Sequence, residues 1–531
     1  MDWLDDTNQS NVTIAITKLP AAVSDDDATF GGTIFSQPGG PGGSGTLYGR
    51  NVARRHQRLF DKPGKKHYEI LSFDPRGMGH SAPRIDCFPG LLGYMRDLER
   101  FATGTTGPTP ETLAMAVAAA KADGARCDEV HGEFLSYVGT PYVARDMLAI
   151  VDKIEEHRIA QRSRRYGEES RLELRSEKKE KEKRDLPRLQ YVGVSYGTTI
   201  GQFFASMFPG RVGRMVLDGV VDVDDLTNVP ECLIAGQDVD EIVDLFFQGC
   251  FAAGQPTCAL AHDQDSSGAD IQRRVWEWID TLDEYPIAAS LSDGNRVFLT
   301  AMGVRAMFVQ SAYSPLAKYQ PLALALEEAM QGNTTLLTSQ YTSQLNVPQG
   351  SNLSNYTNDP LIPMDGMAAV NCVDSIDVTQ HDNVFWRSVL RKHTAISSVA
   401  GPFWAGVRVS CAGWKARPRW EFKGPFTMPE PTRRGEGEGE GEVLDPDRPA
   451  APLLFASNRL DPTTPLQSAR LMASKYPGAG LLVQEAVGHC VLLSTDMTPC
   501  ARNVFADYFD AGVVPDGELV CEAGRGPWDL S

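Results

Sequence analysis

The sequence predicts an α/β fold in which a mainly parallel sheet is interrupted by a helical cap, and three observations lead there. In the first part of the chain, short apolar runs rich in β-branched residues alternate with turns and helical stretches. From about residue 222 to 448 the pattern changes to helical periodicity with few strands. The alternation then resumes and continues to the C-terminus. Residues 1–221 therefore read as the first part of a core, 222–448 as the cap region, and 449–531 as the returning part of the core.

Each element follows from its local pattern. Thr33-Ile34-Phe35 reads as a strand that enters a glycine-rich loop, and Tyr68 to Phe73 as a strand that enters Asp74-Pro75-Arg76-Gly77. Leu189 to Val194 is an apolar run leading to Ser195, followed by the helical stretch Thr198 to Phe208. Arg214 to Leu217 is a further buried-strand pattern. Helical periodicity marks Val239 to Phe251, Ala269 to Leu282 and Leu316 to Met330 in the cap. Pro452 to Ala456 and Gly480 to Val483 restore the strand pattern. Two segments cannot pack a core. Residues 153–188 mix both charges densely and read as a solvated helix or a disordered loop. Residues 433–442 contain a Gly-Glu repeat and read as a flexible linker.

Composition excludes several classes. The 531 residues, 42% hydrophobic and 23% charged, suffice for a large core. A net charge of −18 argues against nucleic-acid binding, which needs clustered Lys and Arg. No apolar run approaches the roughly 18 residues of a membrane span.

The chemistry centres on Gly193-Val194-Ser195-Tyr196-Gly197, a G-x-S-x-G pattern between a strand and a helix. Glycines on both sides let strand and helix approach closely at a sharp turn that exposes the serine hydroxyl. A serine needs a base to remove its proton, and the base needs an orienting carboxylate. In this arrangement the chain order is serine, acid, histidine. His489 follows the strand pattern at 480–483, and Asp461 follows the one at 452–456, so both belong to loops at one sheet edge. Of the other histidines, His56 and His80 precede the serine, whereas His262, His381 and His393 lie in the cap. Asp218, after the strand that follows Ser195, is the alternative acid. Gln37 to Gly45 is placed to supply one oxyanion donor, and the backbone N–H of Tyr196 the other. The loop lacks a following Gly-Lys-Ser/Thr and dinucleotide-binding spacing, so a phosphate-cradling reading fails; no cofactor and no metal is expected.

These pieces, with Asp74-Pro75-Arg76-Gly77-Met78-Gly79-His80-Ser81, Asp218-Gly219-Val220-Val221-Asp222 and Asp461-Pro462-Thr463-Thr464-Pro465, resemble the α/β-hydrolase serine peptidases related to proline iminopeptidase. Within them the chain is most similar to secreted tripeptidyl aminopeptidases with their C-terminal TAP-like part. The resemblance implies an α/β-hydrolase fold, a Ser195–Asp461–His489 triad, and an oxyanion hole from the Gly39–Gly43 loop and Tyr196. It also makes sense of the cysteines as pairs Cys87–Cys127, Cys250–Cys258, Cys372–Cys411 and Cys500–Cys521, a connectivity that spacing does not prove. Cys232 and Cys490 remain, and Cys490 reads as structural.

Location gives two signals. Asn-x-Ser/Thr sequons at Asn8, Asn11, Asn333, Asn352 and Asn355, with ten cysteines, suggest an extracellular protein. The acidic start Met1-Asp2-Trp3-Leu4-Asp5-Asp6 has no signal-peptide pattern, which leaves the cytoplasm as the alternative. The resemblance implies that Met1 is an internal methionine and that a leader precedes it. The expected partner is a peptide or small-molecule substrate, with no nucleic acid and no membrane; the sequence gives no oligomeric state. The first reading of function is an exopeptidase releasing N-terminal residues or tripeptides. The second is an esterase, amidase or lactonase of small metabolites, and the third a non-catalytic binding protein. Recognition of a free α-ammonium calls for carboxylates, which the cap offers in Asp222, Asp224, Asp225, Glu231, Asp238, Asp240 and Glu241.

Overall fold

The computed structural model describes residues 2–3, 11–62, 64–90, 92–93, 95–96, 109–181, 186–290, 296–344, 364–431, 445–494 and 496–529, without the side chains of 165–181. The Gly-Glu repeat, Asn8, Asn352 and Asn355 lie outside these residues.

Ten strands form among them. β1 (Ile16–Leu19), β2 (Phe30–Gln37), β3 (His67–Phe73), β4 (Leu189–Val194), β5 (Val212–Asp218), β8 (Leu454–Leu460), β9 (Gly480–Val487) and β10 (Glu518–Cys521) make one sheet. Its order is β1-β3-β2-β4-β5-β8-β9-β10, antiparallel at β1 and parallel elsewhere. β4 and β5 are buried almost throughout, as expected of parallel strands covered on both faces. β6 (Ile287–Ser290) and β7 (Arg296–Leu299) form a separate antiparallel pair.

The helices divide by the face they cover. α1 (Gly45–Phe60) and α15 (Pro499–Ala511) pack on one side through Phe60, Phe505 and Phe509. α2 (Pro110–His131), α3 (Thr140–Lys181), α4 (Tyr196–Met207) and α14 (Leu466–Lys475) pack on the other. Between β5 and β8 the chain forms α5 (Val223–Asn228), α6 (Val239–Ala253), α7 (Gly268–Glu284), α8 (Ala301–Ala312), α9 (Pro315–Met330) and α10 (Thr335–Gln344). There follow α11 (Met364–Asp374), α12 (Asn383–Ile396) and α13 (Gly401–Val409).

The helical stretch expected at 222–448 contains two kinds of packing. α6 to α10 enclose a core of their own around Phe246, Phe247, Phe308 and Leu322. α11 to α13 instead join the core beneath the sheet, through Ala369, Trp386 and Val409. The highly charged segment also departs from a purely solvated one. Its first part continues α3, where Arg158 donates to Glu69 Oε1 at 2.7 Å and to Thr33 Oγ1 at 2.6 Å.

Four disulfides join Cys87–Cys127, Cys250–Cys258, Cys372–Cys411 and Cys500–Cys521. Each ties two stretches of local structure, and Cys500–Cys521 fastens β10 to the start of α15. Among the described residues, no helix is long and apolar enough to cross a membrane. Asn11 and Asn333 are exposed.

Candidate active site

Strand register decides what the sheet edge carries. Val194 pairs with Asp218 and Leu460 with Val487, so the residues following β4, β5, β8 and β9 emerge on the same side. Those residues are Ser195, Gly219, Asp461 and the Gly488-His489 step. This is the carboxyl edge, where open parallel sheets place their ligands.

Ser195 holds φ 56° and ψ −126°, a strained conformation for a residue with a side chain. Its N–H donates to the Asp218 carbonyl at 2.9 Å, and its own carbonyl accepts from Thr198 N–H at 2.8 Å. The turn closes only because its flanks lack side chains. A Cβ on Gly193 would lie 2.3 Å from the Gly197 carbonyl, and one on Gly197 would lie 2.7 Å from the Gln37 carbonyl. The glycine-rich loop reaches the hydroxyl directly. A Cβ on Gly39 would come within 2.7 Å of Ser195 Oγ and 3.4 Å of Tyr196 N. Gly40 adopts φ 125°, a conformation glycine reaches without strain. Tyr196 is anchored from its far end: its hydroxyl meets Thr140 Oγ1, and Thr140 donates its N–H to Asp374 at 2.9 Å. The position of the Tyr196 backbone is thereby tied to α3 and α11.

His489 presents Nδ1 to both oxygens of Asp461, at 2.9 and 3.0 Å. Asp461 is fully buried, and its carboxylate is well supplied with donors. Oδ1 accepts the N–H groups of Thr463 and Thr464, each at 2.9 Å, and Oδ2 accepts that of Cys490 at 3.1 Å. The Asp461 N–H donates to Asp238 Oδ2 at 3.1 Å, linking the acid's loop to the N-terminus of α6. The Tyr313 ring covers the imidazole, with centroids 4.9 Å apart. Burial works against a charged imidazole, but the Asp461 charge and hydrogen bond, with Asp218 beyond, hold the His489 pKa above its ordinary 6.5. An imidazole with that partner accepts a proton through Nε2 and keeps Nδ1–H toward the acid.

Gly39, Gly40, Ser195, Tyr196 and His489 line one cavity of about 520 Å³, with Asp461 behind the histidine. The opposite wall comes from the region between β5 and β8, including Leu226, Ile234, Phe403 and Trp404. Of the acids considered for an α-ammonium, Asp222 and Asp225 reach this cavity. Asp222 caps α5, and Asp225 accepts the N–H groups of Leu233 and Ile234, both at 3.1 Å. Burial pushes the Asp225 carboxyl up. The others are engaged elsewhere: Asp224 with Lys475, Glu231 with Lys392, Asp238 with the Asp461 backbone, and Asp240 with Ser397 and Ser398. Glu241 lies in the first turn of α6 and is not among the residues lining the cavity.

The alternative acid and the rival histidines have other partners. The Asp218 carboxylate faces the backbone after Cys490 and makes no hydrogen bond to His489 among those described. His56 is buried against Ser36 Oγ, where burial lowers its pKa to about 3. His80 meets Asp74, His262 meets Glu327, His381 stacks on Phe385, and His393 meets the Glu231 carbonyl. Sequence reasoning missed the Thr140–Asp374 anchor of Tyr196, the Asp238 contact and the Tyr313 cover. All three join residues far apart in the chain, and no local motif announces them.

A family model described as TAP-like protein matches residues 397–521, so it begins in the stretch read as cap and includes α13. The chain is 24% identical over 503 residues to a tripeptidyl aminopeptidase of Streptomyces lividans, covering 92% of this chain and 76% of that protein. It is 25% identical over 496 residues to the serine protease Hip1 of Mycobacterium tuberculosis H37Rv, covering 92% and 81%. Carboxylesterase B of Mycobacterium tuberculosis CDC 1551 is 31% identical over 136 residues, 25% of this chain and 24% of that one. The sheet and its strand-turn-helix elbow are those of an α/β-hydrolase fold, and residues 397–521 of the chain match the TAP-like family model.

Proposed function

We propose that this hydrolase is a serine exopeptidase that releases N-terminal residues or tripeptides from peptides. The observation that carries the reading is the opening of Ser195 and the Asp461-backed His489 into one cavity, bounded by the region between β5 and β8. Similarity to the tripeptidyl aminopeptidase along most of both chains supports the peptide substrate. In this mechanism His489 Nε2 takes the proton of Ser195 Oγ as the hydroxyl attacks the substrate carbonyl. The tetrahedral oxyanion is met by the Tyr196 N–H and by the Gly39–Gly40 backbone. The imidazolium, stabilised by Asp461, returns its proton to the leaving amine, and the acyl-enzyme forms. Water attacks in the second half, again through His489, and restores the free serine. Asp222 and Asp225 are the carboxylates proposed to meet the substrate α-ammonium. The four disulfides favour an extracellular setting for this work.

The second reading is ester or small-amide hydrolysis on the same triad. The mainly apolar cap wall and the partial match to carboxylesterase B favour it. Peptidyl arylamides with free and acetylated N-termini, assayed beside acyl esters, separate the two. Cleavage of the free-amine arylamide, lost in Ser195→Ala, is expected. Ester turnover with no amidase activity rejects the peptidase reading. Full activity in Ser195→Ala rejects the serine mechanism, and no turnover of any acyl substrate leaves the binding-protein reading.

A further inference from the structure

We infer that Asp218 is a positioning residue, a strut whose carboxylate holds the His489 loop in register with the Ser195 turn. The inference rests on the proposed triad and adds to it a residue that touches neither substrate nor the reacting atoms.

The loop after β9 is poorly able to hold itself. His489 sits between Gly488 at φ 142° and Cys490 at φ 64°, and the second is strained for a residue with a Cβ. Strain of this kind persists only where the surroundings over-determine the backbone. The three N–H groups after His489 show how that is done. Cys490 N–H goes to Asp461 Oδ2, whereas Val491 N–H and Leu492 N–H go to the two oxygens of Asp218, at 2.9 and 2.6 Å. Two fully buried carboxylates from neighbouring strands thus share one run of backbone donors.

Asp218 holds the nucleophile as well. Its carbonyl accepts Ser195 N–H at 2.9 Å and lies 3.5 Å from Cys490 Sγ. The main chain of one residue therefore fixes the serine turn, and its side chain fixes the histidine loop. Gly219 closes the gap, since a Cβ there would lie 2.4 Å from Cys490 Sγ and 3.4 Å from the His489 ring. This accounts for Cys490 too. Its buried thiol, pushed well above its ordinary range by burial, fills the space between strut and loop and is no nucleophile.

The strut has a consequence for pH. The groups facing Asp218 are Tyr48 and Arg55 from α1, Asp461 after β8, and His489 and Cys490 of the loop. Burial raises the Asp218 carboxyl to about 7, against the opposing pull of the two N–H donors. A proton there occupies one of the two accepting oxygens, so one loop donor loses its partner. Activity should accordingly rise with pH through two ionisations, those of His489 and Asp218, rather than one.

The test is Asp218→Asn beside wild type, on the peptidyl arylamide and on a fluorophosphonate that labels the serine. Asparagine keeps one acceptor and turns an N–H toward the other loop donor. Expected are a fall in kcat of about 10- to 100-fold, the scale of a small misplacement, and KM within threefold. The ascending limb of log kcat against pH should have slope near two in wild type and near one in the variant. Wild-type kcat and an unchanged profile in a folded Asp218→Asn overturn the strut. If that variant does not fold, Asp218→Glu, which keeps two acceptors on a longer stem, takes its place, and wild-type kcat with an unchanged profile in it overturns the proposal. Failure of the triad reading is separately visible, as absent labelling or as full activity in Ser195→Ala.

Discussion

Replacing Asp461 by asparagine changes little in volume and reverses the hydrogen bond that orients His489. The carboxylate accepts two backbone donors on Oδ1, from Thr463 and Thr464, and one on Oδ2, from Cys490, besides Nδ1 of the histidine. An asparagine keeps most of these by placing its carbonyl oxygen toward Thr463 and Thr464. Its NH2 then takes the Oδ2 place, 3.0 Å from Nδ1, and competes there with the carbonyl oxygen at 2.9 Å, shifting the imidazole toward the tautomer with its proton on Nε2. That tautomer cannot accept the serine proton. The expected loss in kcat is about 10⁴-fold, the scale of this substitution in serine-protease triads. At about 1.36 kcal/mol per decade this amounts to roughly 5.5 kcal/mol of transition-state stabilisation. A separate stability loss of about 1–3 kcal/mol follows from Cys490 N–H facing a donor. The Asp461 charge also supports the raised His489 pKa, so whatever activity remains should have its ascending limb at lower pH. The assay is arylamide turnover from pH 5 to 9, with phosphonate labelling to count competent serines and thermal unfolding to confirm the fold. A folded Asp461→Asn variant within tenfold of wild-type kcat refutes the orientation argument.

Three further outcomes are expected. Gly39→Ala places a methyl 2.5 Å from Ser195 Cβ, so it should abolish arylamide turnover while circular dichroism stays native. Asp374 is buried at the Tyr196 anchor with its carboxyl raised to about 6, from 3.8, by burial. A raised folded pKa gives stability that is complete below about 4 and lost as pH rises through about 6, up to about 3 kcal/mol. Asp374→Asn should remove that contribution, so the gap between denaturant midpoints at pH 4 and 7 changes by it; an unchanged gap rejects the assignment. Replacing Cys500 and Cys521 by serine opens a loop of 21 residues and should cost about 3 kcal/mol by the chain-entropy account, read as a lower urea midpoint.

The strands that carry the site were the most legible part of the fold, and physics explains why. β4, β5, β8 and β9 are covered on both faces over most of their length, so each shows a short apolar run, followed by Ser195, Gly219, Asp461 and Gly488 respectively. β1 and β10 lie at the sheet edges with only four residues each, and β10 exposes three of its four. Without burial there is no pattern to read, so both went unnoticed, as did the β6–β7 pair. The cap was legible as helical but not in its division, because an apolar helix face does not say which core it joins. α6 to α10 and α11 to α13 have similar patterns and different neighbours.

The same distinction governs the site. The proposed triad of Ser195, Asp461 and His489 could be named because each follows a readable strand and carries chemistry that requires its residue type. Asp218 was visible only as an alternative acid, since a carboxylate after β5 satisfies the same local rule. What separates the two aspartates is the register of the neighbouring loop. The N–H groups of Val491 and Leu492 turn one carboxylate toward backbone, whereas Cys490 N–H and Nδ1 of His489 engage the other. That information lies in the residues after β9, with Val491 and Leu492 standing 273 and 274 residues beyond Asp218. A motif identifies what a residue can do; the donors brought to it from distant strands decide which of two chemically equal residues does it.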